Sequence, residues 1–563
     1  MKTMKRLLPL LLALVMLLSL CACGNTTPTP AQEAPAAPAA EEPSNPAAEE
    51  PAAEEEPEPE PEPIALTIAI TKDENSLAPF TYVSATGLTV NRLVYDTLFT
   101  PDMENNVVPW MVEDDYTVEN NQVYTMKLLP GQFFHNGNPV NADAVKFSFE
   151  YPADKNVSGQ RKVCNKIESI EVLGELELRF TLKAPDVNFL RDGFCLIRII
   201  DPSVYEGVED PTTVEASIGS GMYKLAEYKT GEYYVLEAVD GYFRGTPAVQ
   251  TINMPIMGDS TAIQQGILSG ELAASTGNIG MEMVETFAAN PDLAVVANAD
   301  YGPTIININN ERAPFDQVDF RRALTYAIDV NGICQMIYGD YALPGAPGCL
   351  RTDLPYANQT AYTYDPAKAV ELLEGLGYTE LNADGIRLDK DGNPLHIQVL
   401  SYAESAQRTR ICELMAEDLA EVGIELELVT MDMDTADTYI WPDFDVANGR
   451  DYDLSTWGWG TAAGNSYTYL ISLCHSDPGI GTYNVCGFKS ERFDVLVDGT
   501  TITSIADMEE LLRQLQEVVI DEVPLITIGC PDKLQVVNTA LYNGWQSGKG
   551  ANVVNIYSFL PAA

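Results

Sequence analysis

The sequence changes character once, at Ile64, and that break sets how much of the chain can fold. Residues Asn25–Pro63 consist almost wholly of Ala, Pro, Glu, Thr, Ser and Asn, with eleven Glu, no base, no aromatic and no large aliphatic side chain. Such a segment cannot bury enough apolar surface to offset the entropy of ordering it. Its Glu-Pro alternation from Glu56 to Pro63 favours an extended, polyproline-like tether. At about 3.1 Å per residue it could reach on the order of 100 Å. That reach suits a thick cell wall and a Gram-positive cell, although a short acidic spacer on a periplasmic lipoprotein would read the same way. The 563 residues as a whole exceed what one hydrophobic core supports, so two to four domains are expected.

The N-terminal residues form a second unit. Lys2, Lys5 and Arg6 precede an apolar run from Leu7 to Leu20 and then Cys21-Ala22-Cys23-Gly24. This is the pattern of a secretory signal, too short for a stable membrane span. Its end resembles a bacterial lipobox, with Cys23 as the lipidated residue and Cys21 as the poorer fit. Beyond Ile64 the chain carries 71 acids against 30 bases. Nucleic acid is therefore excluded as a partner, because a binder needs a positive face. The acidity fits either attraction for cationic solutes or a solubilised surface. Eight further cysteines in an exported chain permit disulfides. Cys474–Cys486 and Cys334–Cys349, the nearest in sequence, are the first pairs expected, with the pairing otherwise open.

Local patterns alternate between strand and helix. Leu66–Ile70 reads as a half-buried strand, and Leu176, Leu178, Phe180 and Leu182 line one face of another. Asp365-Pro366 opens a helix that Gly377 closes, with Ala369, Leu372, Leu373 and Leu376 on its apolar stripe. A second helix, carrying Ile411, Leu414, Met415, Leu419 and Val422, ends at Gly423, and a strand over 424–428 follows. Helices alternating with strands predict α/β domains with sheets covered on both faces. Catalytic grammar is missing: GxSxG, HExxH and Walker A do not occur, and His135, His396 and His475 each have a structural reading. Neither cofactor nor metal is expected, and binding is favoured over catalysis.

Five segments together resemble the extracellular solute-binding proteins, family 5, which include the oligopeptide-, dipeptide- and nickel-binding receptors of ABC importers. They are Asn91–Phe99, Tyr124–Phe149, Gly219–Leu225, Asn309–Asp329 and the stretch from Tyr364 to Tyr378, in the family's order. Gly131, Gly137 and Gly221 in them suit tight turns, and Arg321 and Arg322 read as structural. The resemblance implies an α/β, type II periplasmic-binding fold of two hinged lobes plus an extra domain on the first. By analogy residues 1–23 are signal and 24–63 tether. Lobe I takes 64–89, 213–301 and 524–563, the extra domain 90–212, and lobe II 302–523. The chain would cross between lobes near Thr304-Ile305 and again near Leu525-Ile526. The implied protein is a monomeric lipoprotein on the outer face of the cell membrane, passing a small solute, peptide in the first instance, to ABC permease subunits.

In peptide-binding relatives a "G-W-x-x-D" segment lines the pocket, and its Asp pairs with the peptide's amino group. Here the segment is Gly458-Trp459-Gly460-Thr461-Ala462, without the acid. Trp459, Trp457, Gly460 and Thr461 are the implied ligand contacts, with Tyr82, Val83 and Ser84 as an early contact loop. Trp457 and Trp459, two apart on a strand, are expected on one side as an aromatic wall. The missing acid admits a nickel chelate, a sugar or a modified peptide as ligand, and the same fold could serve as a sensor without transport.

Overall fold

The computed structural model describes residues 63–80, 85–155, 157, 160–403, 405–460 and 467–561. The signal, the tether, Cys23, Tyr82, Val83, Ser84 and Thr461 lie outside the described residues. The strand Ile64–Ala69 pairs in parallel with Val249–Pro255 on one side and Ala274–Ser275 on the other. Central placement explains why Leu66 and Ile68 on one face and Ala69 on the other are all buried. Tyr223–Lys229, Tyr233–Ala238, Leu293–Asn298 and Lys533–Asn538 complete a seven-stranded sheet.

A six-stranded sheet runs in the order 342–344, 525–531, 304–308, 454–458, 396–402, 425–431. Thr304–Ile308 is antiparallel to both its neighbours, whereas His396–Tyr402 is parallel to both of its own. The chain thus leaves the first sheet after Asn298, enters the second at Thr304 and returns at Asp532. This corrects the expected second crossing at Leu525-Ile526. The strand Leu525–Pro531 is entirely buried up to its last residue and hydrogen-bonds to Thr304–Asn307, so it stands in the second sheet. An antiparallel four-stranded sheet, 117–119, 123–127, 177–182 and 167–172, lies within the inserted stretch. Its inward side chains Leu178, Phe180 and Leu182 join one continuous core with Leu66, Ile68 and Ile252 of the first sheet.

The helix Pro366–Gly375 starts as its sequence signals require: the Asp365 carboxylate accepts from Lys368 N at 3.0 Å, with Ala369 and Leu373 buried. Ala406–Glu421 stops before Gly423, whose φ of 81° only glycine adopts without strain. Gly221 corrects an expectation. It makes no left-handed turn; its missing Cβ leaves room for the Val94 backbone, whose carbonyl accepts from Gly221 N at 2.9 Å. The expected disulfides are also corrected, because all eight cysteines of the described residues are free and buried. Cys334 packs in the core of the second sheet while Cys349 belongs to a separate cluster. Cys486 shares that cluster with Cys474 but donates to Asn307 Oδ1 at 3.5 Å.

Candidate ligand cleft

The site grows from the strand Leu454–Gly458, central in the six-stranded sheet. Leu454 at its start is buried in the core beneath, and at its end Trp457 is half-buried. The chain then runs alongside the crossing segment: Trp459 N donates to Pro303 O at 3.1 Å. Gly302 allows this approach, since a Cβ there would collide with the Trp459 carbonyl. Trp457 and Trp459 stand with ring centroids 5.8 Å apart, on one side as the strand period predicts. Gly460 is exposed beside them.

Loops remote in sequence extend this pair into a wall. Tyr483 meets Trp459 at 4.3 Å, the rings tilted by 32°. Trp441 lies 6.1 Å from Trp457, Trp459 and Tyr483 alike, and Tyr402 is 6.1 Å from Trp457. Phe444 meets Trp441 at 5.5 Å and is 65% exposed. Asp443 and Phe444 both have φ of 54°, an uncommon backbone state for non-glycine residues that sites of function tend to hold. The indole nitrogens of Trp441 and Trp459 are buried without a hydrogen-bond acceptor. Trp441, Tyr483 and Tyr402 carried no sequence signal, because no spacing relates them to Trp459.

Two charged groups border the wall. Arg408, in the first turn of the helix Ala406–Glu421, lays its guanidinium over the Tyr402 ring at 4.8 Å. Its Nη2 lies 2.7 Å from where a Cβ on Gly458 would stand. Burial lowers its pKa, against the opposing fields of Tyr402, Tyr338 and Asp437. The second group, Asp192, comes from the inserted stretch, on a π-helical turn Leu190–Phe194. Burial pushes its carboxyl up to about 6, outweighing the nearby Lys166 and Arg191. Tyr483 is raised by its own burial first and then by the Asp192 charge. Val187, just before this turn, packs on the cluster that holds Trp457, Trp459 and Tyr483. Between the inserted stretch and the second lobe's helices, Asn121 Nδ2 donates to Thr503 O at 2.9 Å.

The histidines take structural places. His135 Nδ1 accepts from Gly219 N at 3.2 Å and Nε2 faces Gly221 O at 2.9 Å, and burial lowers its pKa to about 4. His396 sits between Glu425 and Glu427, and His475 is buried with Nδ1 accepting from Asp477 N. Among the described residues no group of three or more His, Cys, Asp or Glu side chains could hold a metal ion.

Two sheets are joined by two crossings, and the aromatic wall stands beside the first of them. The profile described as bacterial extracellular solute-binding proteins, family 5 Middle, matches residues 106–480, more than half the chain, and the chain belongs to that family. The oligopeptide-binding protein AppA of Bacillus subtilis strain 168 is 25% identical over 76% of this chain and 78% of its own length. The nickel-binding periplasmic protein of Escherichia coli K12 is 27% identical over 60% of this chain and 66% of its own. Among solved structures, NikA from Brucella suis in complex with Fe(III)-EDTA superposes with a TM-score of 0.77 at 21% identity, covering 88% of this chain and all of that one. The fold is that of the type II periplasmic-binding proteins.

Proposed function

We propose that the chain is the capture receptor of an ABC importer, enclosing peptides or a related small solute between two lobes and presenting them to the transmembrane permease. Lobe I is read as 64–89, 213–301 and the stretch after Asp532, lobe II as 302–531, and 90–212 as the domain added to lobe I. The observation that carries the reading is the wall of Trp441, Trp457, Trp459 and Tyr483 beside the crossing strands. Flat aromatic faces give contact area without demanding one ligand shape. The oligopeptide-binding relative supports peptide as the solute. Closure follows from tighter binding to the closed state, which shifts the population toward it. Cys23 is the lipid-bearing residue, and the acidic tether holds a monomer off the outer face of a Gram-positive membrane.

A second reading, a nickel chelate or other non-peptide solute, is favoured by Ala462 in the place of the acid and by the nickel-binding relative. A thermal-shift screen of the chain lacking residues 1–23 separates the two. Its arms are short free peptides, nickel–histidine chelate and oligosaccharides. A ligand at 100 times its Kd adds about 2.7 kcal/mol of stability. Peptides are expected to raise the unfolding midpoint; a rise with chelate or sugar alone would overturn the peptide reading in favour of the second.

A further inference from the structure

A polar cavity of about 210 Å³ lies among Glu311, the turn 446–450 and the loop 475–489, and no residue of the aromatic wall lines it. Two glycines make the room. Gly487, at a φ of 64°, lies so close to Arg450 that a Cβ there would overlap the guanidinium, and a Cβ on Gly481 would overlap the His475 carbonyl. Asn484 fastens the loop. Its Nδ2 donates to His475 O at 3.1 Å and to Phe488 O at 2.8 Å, and its Oδ1 accepts from Phe488 N at 2.9 Å. Those three bonds fix the course of the loop around the space.

Two nitrogen donors on this cavity lack acceptors among the described residues. The Arg450 side chain is only 7% exposed. Its Nη1 pairs with the Glu311 carboxylate and its Nη2 donates to Val446 O at 3.3 Å, but its Nε–H has no hydrogen-bond partner. His475, 3% exposed, accepts from Asp477 N at its Nδ1, so Nε2 carries the ring proton. That proton too has no hydrogen bond. Asp498 and Asp494 stand 3.5 and 3.8 Å from Nε2, outside hydrogen-bond geometry. Asp494 is already taken by Ser476 N and Oγ, and the Asp498 side chain is 64% exposed. Buried donors left open are costly, which calls for an oxygen acceptor from outside the chain. Lys489, which also lines the cavity, bonds Glu311 at 2.6 Å. Arg450 and Lys489 thus share one carboxylate, which leaves one positive charge over on that side of the cavity.

We propose that this cavity binds a small oxyanion, a carboxylate or inorganic phosphate, through Arg450 Nε and His475 Nε2, with Lys489 supplying further charge. Guanidinium and ammonium groups are the donors that carboxylates and phosphates select. The size agrees. The space is several times what one water needs, and it falls below the roughly 300–1,000 Å³ of sites for larger ligands. It is a second site, apart from the solute cleft, and it does not depend on the identity of the solute.

The test uses the chain lacking residues 1–23, titrated by calorimetry with phosphate and with acetate at constant ionic strength in potassium chloride. Wild type is expected to bind at least one of them saturably, with a Kd of about 1 mM or below, and the tighter arm tells phosphate from carboxylate. Arg450→Gln is expected to weaken that binding about tenfold or more, and Lys489→Ala, at an exposed position, about threefold or more. Unfolding midpoints check that each variant is folded. No saturable binding of either anion by wild type would mean that the cavity holds only water, and overturns the proposal. Unchanged affinity in folded Arg450→Gln overturns it as well, since the anion then binds elsewhere. Should Arg450→Gln fail to fold, Lys489→Ala decides by the same rule.

Discussion

At the residue scale the most consequential buried group outside the cleft is Asp96. Trp110 Nε1, Ser220 Oγ and Tyr242 OH donate to its carboxylate at 3.0, 3.1 and 2.7 Å. Those bonds tie the first sheet's flank to the Gly219–Gly221 segment. Even so, full burial outweighs the three donors and pushes the carboxyl from 3.8 to about 6. A carboxyl raised on folding binds its proton more tightly in the native state. Its contribution to stability is therefore complete below the unfolded value near 3.8 and is lost as pH rises through about 6. The loss is about 3 kcal/mol across that window. In urea titrations from pH 4 to pH 7, the stability advantage of wild type over Asp96→Asn should shrink as pH rises. A difference that stays constant, or grows, would sink this account.

At the element scale, one long helix shows how a buried cation serves structure. Ile505–Glu522 begins with a capping box between Ser504 and Asp507 and ends with Val523 in the left-handed region at φ 48°. A β-branched residue pays for that conformation in strain, and Arg321 holds the end in place. Its guanidinium donates to Glu522 O, Val523 O and Phe315 O at 2.6, 2.9 and 2.7 Å, and burial lowers its pKa to about 10. Arg321→Met keeps the packing and orphans those carbonyls. Chemical denaturation is expected to show a loss of about 2–4 kcal/mol, and a loss under 0.5 kcal/mol would refute the capping role. Elements of this kind were legible in the sequence. Asp365-Pro366, the stripe through Ala369 and Leu373, and the Leu178–Leu182 alternation each rest on short-range periodicity, which local physics enforces. Half the wall was legible for the same reason, since Trp457 and Trp459 are two apart. The remainder depends on loops: Trp441 follows the helix Met433–Ile440, and Tyr483 lies in an irregular stretch. The cysteine pairing failed likewise, because nearness in sequence placed Cys334 and Cys349 in different cores.

At the scale of the whole molecule, the aromatic wall and the first crossing between the sheets meet through backbone contacts. The first crossing runs from Asn298 to Thr304, and within it Gly302 lies against the carbonyl of Trp459 while Pro303 O accepts from Trp459 N at 3.1 Å. The base of the aromatic wall is thus seated on the end of the crossing segment. The geometry therefore couples the crossing segment to the setting of Trp459, and through it to Tyr483 at 4.3 Å. Gly302→Ala tests the coupling with a single carbon. The added Cβ must displace the Trp459 backbone, since the atom it meets is main chain and not a flexible side-chain end. Overpacking of this sort costs about 1–3 kcal/mol, too little to unfold a chain of this size but enough to reset the wall. Peptide capture is expected to fall about tenfold or more, and the compaction that ligand induces in small-angle scattering of wild type should be lost. The unfolding midpoint without ligand should move only a few degrees. Normal capture and compaction in folded Gly302→Ala would mean that the wall is positioned by the sheet beneath it and not by the crossing.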